Sequence, residues 1–476
     1  VAVREFPLAS GFADYLLYVG NRIVGVIEAK REGTALIGVE HQTRKYAEGL
    51  RAEHRLAAWR RGEPLPFRYE STGAETRFTN QLDPKPRSRE VFQFARPETV
   101  QTWMHQADDD PESPTLRARI LTLPDLQPDG LRPNQFDAIR GIEKSLKETH
   151  PRGLVQMATG AGKTFTAVTA SYRLLKYARA SRILFLVDRN NLGEQAEGEF
   201  ENFVPRDDGR RFGEIYNVQR LSGRTVLGST NVAISTIQRL YLLLQGQELP
   251  DADDDVDGDL DEPDRPVDAV YSAAVPPETF DLIVVDECHR SIYGRWRSVL
   301  DYFDAPIIGL TATPTKQTLG FFDQNLISEY PYERSVIDGV NVPFDVYRIR
   351  TEITEQGATI EANTVVPIRD RKTRVQRYEE LDDDYAYTGA AIGRDVIAED
   401  QVRTLLTTFR DRLYSEIFPG RSAVPKTLIF AKTDAHADVI VEQVREVFGE
   451  GADFAAKITY TAADAKQNLQ NFRNSP

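Results

Sequence analysis

The run Met157-Ala158-Thr159-Gly160-Ala161-Gly162-Lys163-Thr164 constrains this chain more than any other stretch. A short apolar run, Gly153 to Met157, precedes it. A segment with helical spacing (Phe165, Val168, Ser171, Leu174, Leu175) follows it. Strand, glycine turn and helix, in that order, form the setting of a phosphate-binding loop. The glycines let backbone N–H groups turn inward, and the helix N-terminus adds the positive end of its dipole. In such a loop Thr159, Gly160, Ala161 and Gly162 cradle phosphates, Lys163 reaches the β- and γ-phosphates of ATP, and the Thr164 hydroxyl holds Mg²⁺. The pattern reads A-x-x-G-x-G-K-T, with Ala158 where glycine is commoner.

Four short apolar runs follow: Ile183 to Val187, Val232 to Thr236, Leu282 to Val285 and Ile307 to Leu310. They are continuous rather than alternating, as expected of strands buried on both faces of a parallel α/β sheet. Polar residues close each run and fall at the carboxyl edge of the sheet, where such sheets bind ligands. The third run closes on Asp286-Glu287-Cys288-His289 and the fourth on Thr311-Ala312-Thr313. Adjacent acids at the end of a buried strand are costly without a metal or a base beside them. Asp286 suits Mg²⁺ and Glu287 suits the polarisation of an attacking water. Thr311 and Thr313 suit coupling between nucleotide and nucleic acid. His289 reads as a linking residue, and Cys288 as a small buried one. Gln135, in the helical start Leu131 to Gln135, reads equally as an adenine contact or as a polar helix-start residue.

A second centre lies upstream. Apolar runs flank Gly20-Asn21, a hairpin signal, and the hairpin brings Asp14 near Glu28 and Lys30. Glu28 and Lys30 stand two apart on a strand and share a face. Two carboxylates and a lysine at one spot hold Mg²⁺, position water and stabilise a pentavalent phosphate; the competing reading is a surface ion pair. Gln42 and Tyr46 follow at helical i, i+4 spacing.

Asp-x₁₃-Glu-x-Lys followed by Gln-x-x-x-Tyr resembles the PD-(D/E)xK nuclease core of type I restriction subunits, with Ala13 where that pattern has proline. The resemblance implies that Gln42 and Tyr46 support DNA cleavage. Gln135, Ala158 to Thr164, Asp286 to His289 and Thr311 to Thr313, in this order, resemble a superfamily 2 helicase or translocase. Together the two resemble the restriction (R) subunit of a type I restriction-modification enzyme. That resemblance implies an α/β chain with a nuclease domain over 1–112, a first RecA-like motor domain over 113–330, and a linker with the start of a second RecA-like domain over 331–476. It implies an ATP-dependent, Mg²⁺-dependent double-stranded DNA translocase and endonuclease working with methyltransferase (M) and specificity (S) subunits, the partners then owning S-adenosylmethionine. Two other readings remain: a stand-alone or type III-like helicase-nuclease, and a nucleotide-dependent DNA-binding scaffold.

Composition limits these readings without overturning them. The 476 residues suggest two to four domains, and no apolar run approaches the length that spans a membrane. A single cysteine, Cys288, excludes a disulfide framework and fits a reducing cytoplasm. Net charge is −14, but seventeen acids cluster in 108–110, 251–264 and 379–384, leaving a remainder near +3. DNA binding therefore stands. The 251–264 cluster approaches a calcium-loop pattern, but Pro263 and the lack of a following helix favour a solvated acidic insertion.

The region Tyr69 to Phe94 reads as short strand-like pieces, with Pro84 and Pro86 between them, forming the rim of the nuclease domain, and Pro97 to Pro114 as a linker. Farther on, Pro343 to Arg350 alternates like a strand, and Arg369 to Arg377 is basic enough either to track a DNA backbone or to pair with the acids beside it. Lys426 to Thr433 reads as a buried strand and Ala437 to Phe448 as its helix. With no start Met and no later helicase motif, the chain reads as a piece of a longer subunit, expected to bind nucleotide with little turnover.

Overall fold

A computed structural model describes residues 1–223, 225–249, 267–291, 296–349, 358–360, 365–369, 376–380, 385–387, 399–459, 462 and 464–474. The chain divides into two units, Val1–Pro343 and Phe344–Pro476.

The first unit contains two sheets. In the upstream one, β1 (Ala2–Leu8), β2 (Gly11–Val19), β3 (Arg22–Ala29), β4 (Phe67–Ser71), β5 (Thr76–Asn80) and β6 (Arg89–Val91) lie side by side in chain order. The β2–β3 hairpin turns at Gly20-Asn21, where Gly20 takes φ +57°, as the sequence predicts. Only β3 and β4 pair in parallel, joined by a crossover that carries helix α1 (Glu40–Glu48). Helix α1 covers one face of this sheet through Ala47, which packs with Leu16, Ile23 and Val26. The other face packs Val24, Phe67, Tyr69 and Phe78 against Val100 and Met104 of α2 (Pro97–Asp109).

Two expectations are corrected here. Tyr69 to Phe94 does hold short strands, the end of β4, β5 and β6, with β6 at the sheet edge, but it is not all rim, because β4 is an interior strand whose five residues are all buried. Its sequence, FRYES, alternates aromatic and charged residues and so imitates a half-exposed strand. Yet Arg68 and Glu70 are only 5% and 1% exposed. Pro97 to Pro114 is mostly helix rather than linker: Pro97 occupies the first helical turn, where its missing N–H costs nothing, and Val100, Met104 and Ala107 form the buried stripe.

The second sheet is wholly parallel, in the order β13-β7-β12-β11-β8-β10-β9. Its members are β7 (Arg152–Met157), β8 (Ile183–Val187), β9 (Val218–Arg220), β10 (Val232–Thr236), β11 (Leu282–Val285), β12 (Ile307–Thr311) and β13 (Leu326–Tyr330). The four predicted runs are all strands here. Helices α3 (Leu116–Leu121), α4 (Pro133–Lys147) and α5 (Lys163–Tyr177) stand on one face; helices 237–244, 297–301 and 316–321 stand on the other. Coverage on both faces is why the central strands are uniformly apolar. The edge strands β9 and β13 are short and half-exposed, and periodicity missed them. The two sheets of this unit meet through a bidentate pair, Arg89 Nε and Nη2 on Asp304 Oδ1 and Oδ2 at 2.7 and 2.8 Å, and through Arg96 N and Thr99 Oγ1 donating to Glu278 Oε1 at 3.1 and 2.8 Å.

In the second unit, Glu399–Arg412 and Asp434–Phe448 are helices that pack through Leu406, Ile440 and Val444. The predicted helix is thus present, capped by the Thr433 hydroxyl accepting from His436 N at 3.2 Å. Its predicted strand is not: Lys426 to Thr433 joins no sheet, and Leu428, Ile429 and Phe430 are exposed. Nor do 343–349 form a strand. A buried parallel strand exists only between neighbours, and none flanks either segment among the described residues. Val365–Arg369 and Gln376–Glu380 pair as antiparallel strands, so the ends of the basic cluster are strand. Residues 370–375 of that cluster, and the acidic insertion 251–264, lie outside the described residues. No helix among the described residues is long and apolar enough to cross a membrane.

The parallel contact of β3 with β4 depends on Gly25, because a Cβ there would sit 2.2 Å from the Phe67 carbonyl oxygen. Backbone cannot step aside as a side-chain tip can. Gly25→Ala is therefore expected to cost about 1–3 kcal/mol, read as a lowered melting temperature, and unchanged melting would contradict this packing.

Candidate functional site

The turn after β7 is built for its glycines. Gly160 and Gly162 take φ +79° and +96°, in the left-handed region that side chains avoid. At Gly162 a Cβ would also fall 2.2 Å from Gln135 Nε2. Ala158 needs no such freedom: it is buried, and its N–H continues the sheet by donating to Tyr330 O at 2.8 Å. This accounts for alanine at that point of the pattern.

Side chains from outside the loop then hold its carbonyls. Asn341 Nδ2 donates to Thr159 O at 2.9 Å, Arg132 Nη1 to Gly160 O at 3.3 Å, and Asn134 Nδ2 to Ala161 O at 3.1 Å. Gln135 belongs to the same brace. Its Oε1 accepts from Arg132 N at 3.0 Å, which caps α4, and its Nε2 donates to Ala161 O at 3.4 Å. The structure thus gives Gln135 a place behind the loop, in contact with it. Fixing peptide carbonyls from outside orients the intervening peptide planes, which is what a phosphate cradle requires. The sequence reading missed Asn341, Arg132 and Asn134. The first lies far along the chain and nothing in its local pattern marks it.

The order β7-β12-β11 brings the ends of these three strands together. Lys163 Nζ lies 3.1 Å from Glu287 Oε1. Glu287 Oε2 is 3.5 Å from His289 Nδ1, which is also 2.9 Å from Thr311 Oγ1. Thr311 Oγ1 accepts from Thr313 N at 3.1 Å. His289 is therefore a linker between the two loops, as the sequence suggests, and Cys288 is fully buried beside Gly309. Glu287 takes φ +44°, a conformation that costs a non-glycine residue about 1–2 kcal/mol and recurs at functional sites. Thr164 stands half-exposed in the first turn of α5. Burial, and next the Glu287 carboxylate, push the Asp286 carboxyl up to about 6, with Lys163 partly opposing.

The upstream centre is equally connected. Asp14 lies across from Glu28, one step along the register from Tyr15↔Ile27, and its Oδ2 accepts from Ala29 N at 2.7 Å. Lys30 Nζ sits 2.6 Å from Glu28 Oε1 and donates to Gln42 Oε1 at 3.1 Å; Gln42 Nε2 in turn reaches Tyr46 OH at 2.8 Å. All five predicted residues thus meet at one place. Burial raises the Glu28 carboxyl, Asp14 adds to that, and Lys30 opposes it. Glu28 Oε2 is buried without a hydrogen-bond partner.

Among the described residues no three of His, Cys, Asp and Glu converge as a metal cluster. Two carboxylates, one with an unpartnered buried oxygen, still fit Mg²⁺, which keeps several waters and takes only one or two protein carboxylates. Glu70 went unread in the sequence, although in β4 it pairs in register with Glu28.

Against known families, residues 129–316 match the model described as "Type III restriction enzyme, res subunit". Residues 1–77 match "Type I restriction enzyme EcoKI endonuclease subunit second domain". The chain is 28% identical over 512 residues to the type I restriction enzyme EcoKI endonuclease subunit of Escherichia coli (strain K12), covering 94% of this chain and 40% of that protein. It is 29% identical over 352 residues to the EcoAI endonuclease subunit of Escherichia coli, covering 71% of this chain and 38% of the relative. The chain therefore spans about two fifths of the length of these relatives. A solved fragment of an HsdR subunit of a type I restriction enzyme from Vibrio vulnificus YJ016 aligns over 99% of this chain and 76% of its own, at 19% identity and a TM-score of 0.41.

The raised Asp286 carboxyl has a sign that can be tested. Between the unfolded value of 3.8 and about 6 the folded chain holds the extra proton, so this group favours the folded state at low pH and the contribution is lost as pH rises through about 6. Cation binding needs the carboxylate. Affinity for Mg²⁺ with an ATP analogue is expected to fall about tenfold per pH unit below 6, relative to Asp286→Asn, which should bind weakly without that dependence. Parallel curves for the two proteins would remove Asp286 from the cation site.

Proposed function

The chain is a relative of the endonuclease subunits of type I restriction enzymes, with a helicase-like region, and on that footing we propose that it cuts DNA at the Asp14–Glu28–Lys30 centre and moves double-stranded DNA by hydrolysing ATP at the Lys163–Glu287 centre. One observation carries the cleavage reading: the unbroken contact chain Glu28–Lys30–Gln42–Tyr46 beside Asp14. A structural ion pair needs no Gln–Tyr extension, whereas a centre that must hold an ammonium toward a phosphate does.

In this reading Asp14 and Glu28 hold Mg²⁺, which supplies a Lewis acid and an activated water. Lys30 is held by Glu28 and Gln42 at the point where charge develops on the phosphate, and Gln42 is itself oriented by Tyr46. At the other centre Asp286 and Thr164 would hold the Mg²⁺ of the nucleotide, with Thr159 to Gly162 cradling its phosphates. Lys163 has two anions to choose between, Glu287 and a phosphate. Contact with the phosphate frees the Glu287 carboxylate to accept a proton from water, with His289 holding its other oxygen toward Thr311. Gln135 braces the loop and retains one amide hydrogen to meet a base. Thr311 and Thr313, tied to His289, would carry the state of that centre toward bound DNA.

Methyltransferase and specificity subunits would supply the target and the S-adenosylmethionine site, in the cytoplasm. The type III description of the family over the motor keeps the type III-like reading open; the type I match over residues 1–77 favours the type I one, since it covers all five residues of the nuclease centre.

Two substitutions in the full-length subunit separate the activities. Lys30→Ala should lower DNA cleavage by at least about a hundredfold with ATP hydrolysis unchanged; normal cleavage would remove the nuclease assignment. Lys163→Ala should abolish DNA-stimulated ATP hydrolysis, and turnover at the wild-type rate would show that the loop has been misassigned.

A further inference from the structure

Helix α1, which carries Gln42 and Tyr46, is weakly held. It has nine residues, too few to be stable alone, and its N-cap, Val39, offers no side-chain hydrogen bond. Only Thr43 and Ala47 are buried. Ala47 contributes one methyl group, which fixes distance from the sheet but not rotation about the helix axis. Rotation matters, because Gln42 must meet Lys30 while Tyr46 meets Gln42. Tyr46 packs at the margin of that core, and Ser10 Oγ and Leu65 N donate to Lys45 O and Ala47 O; on the buried face between Gln42 and Tyr46 the grip is polar, the Thr43 hydroxyl bonding Glu70 Oε1 on β4.

Glu70 is an unusual residue to find there. It is 1% exposed, its Oε2 is buried with no partner, and its carboxyl is raised by burial despite Thr43 and Arg68. An interior strand packed only for stability would carry an apolar side chain at this point. In the parallel register Glu70 pairs with Glu28, so both stand on the face that α1 covers.

We propose that Glu70 is a positioning residue of the nuclease centre, which through Thr43 sets the rotation of α1 and thereby places Gln42 and Tyr46 against Lys30. The inference rests on the nuclease reading above. Thr43 directly follows Gln42 in the chain, so turning α1 enough to release Thr43 from Glu70 also withdraws Gln42 Oε1 from Lys30 Nζ. The role needs an acceptor at Glu70 and a hydroxyl at Thr43; it needs no charge.

Single-turnover DNA cleavage and DNA-stimulated ATP hydrolysis of the full-length subunit test this, with Lys30→Ala alongside. Glu70→Leu and Thr43→Val should each slow cleavage roughly 10–100-fold, with ATP hydrolysis unchanged. Glu70→Gln and Thr43→Ser, which keep the hydrogen bond, should cut within about threefold of wild type. A residue that only stabilised the fold would not separate these pairs in cleavage while sparing ATP hydrolysis. Should Glu70→Leu fail to fold, Thr43→Val still decides the matter. Wild-type cleavage by Thr43→Val, with Lys30→Ala inactive, would overturn the positioning role and leave the nuclease reading intact. Glu70→Gln as slow as Glu70→Leu would also overturn it, since the charge itself would then be required. Normal cleavage by Lys30→Ala would remove the nuclease reading and this inference together.

Discussion

A carboxylate taken out of water is costly unless a cation or a hydrogen-bond donor meets it, and Glu28 and Asp286 show that cost at the two centres of this chain. Glu28 is 3% exposed, and its Oε1 rests on Lys30 Nζ at 2.6 Å; Glu287 rests on Lys163 Nζ at 3.1 Å, beside an Asp286 whose carboxyl burial has pushed up. Burying an unpaired charge costs several kcal/mol, more than a favourable contact elsewhere returns. Each lysine offsets only part of the desolvation: Glu28 Oε2 keeps no hydrogen-bond partner, and the Asp286 carboxyl stays raised. Lys30 also donates to Gln42, so its ion pair holds the ammonium in a defined place rather than locking it onto one partner.

The two sheets supply this requirement differently. In the parallel sheet, burial on both faces makes the strands apolar, and polar residues are confined to the carboxyl edge. The order β7-β12-β11 then makes three separate loops one site. In the upstream sheet the acids lie within the strands, at Asp14, Glu28 and Glu70, on the face under α1. The opposite face carries the apolar load: Tyr69 and Phe78 stack at 4.5 Å between centroids, and Phe78 and Trp103 at 5.7 Å. Strand β4 shows the division residue by residue, with Phe67 and Tyr69 toward α2, and Arg68 and Glu70 toward α1.

That division also explains how far the sequence could be read. The parallel strands were legible because burial on both faces leaves continuous apolar runs, and the edge residues were legible because their chemistry is costly unless used. The β2–β3 hairpin was legible from Gly20-Asn21. The strand-like pieces from Tyr69 onward were legible too, but the burial of β4 was not, since FRYES looks half-exposed unless one knows that α1 covers its charged face. For the same reason Glu70 was missed while Glu28, with its lysine two residues on, was found. Asn341 braces the phosphate loop from a distance in sequence that no local pattern spans. Lys426 to Thr433 failed in the opposite way: its apolar pattern meets the demands of a buried strand, but pattern cannot provide the neighbours that a ladder needs.

One strand links the Lys163–Glu287 centre to the upstream sheet. At its carboxyl end β12 presents Thr311 to His289, and so to Glu287 and Lys163. Just before its amino end, Asp304 takes both arms of Arg89 from β6 of the upstream sheet. Burial alone would raise the Asp304 carboxyl; Arg89 more than reverses this and holds it below the usual range. Between these ends β12 is five buried residues paired on both sides, by β7 and β11. Such a strand cannot flex internally without breaking ladder hydrogen bonds or opening voids in a close-packed core. The carboxyl edge of one sheet and the outer strand of the other are therefore fixed to the ends of one rigid element. The buried Arg89–Asp304 contact is the costly part of that connection, because losing either partner leaves a charge without compensation.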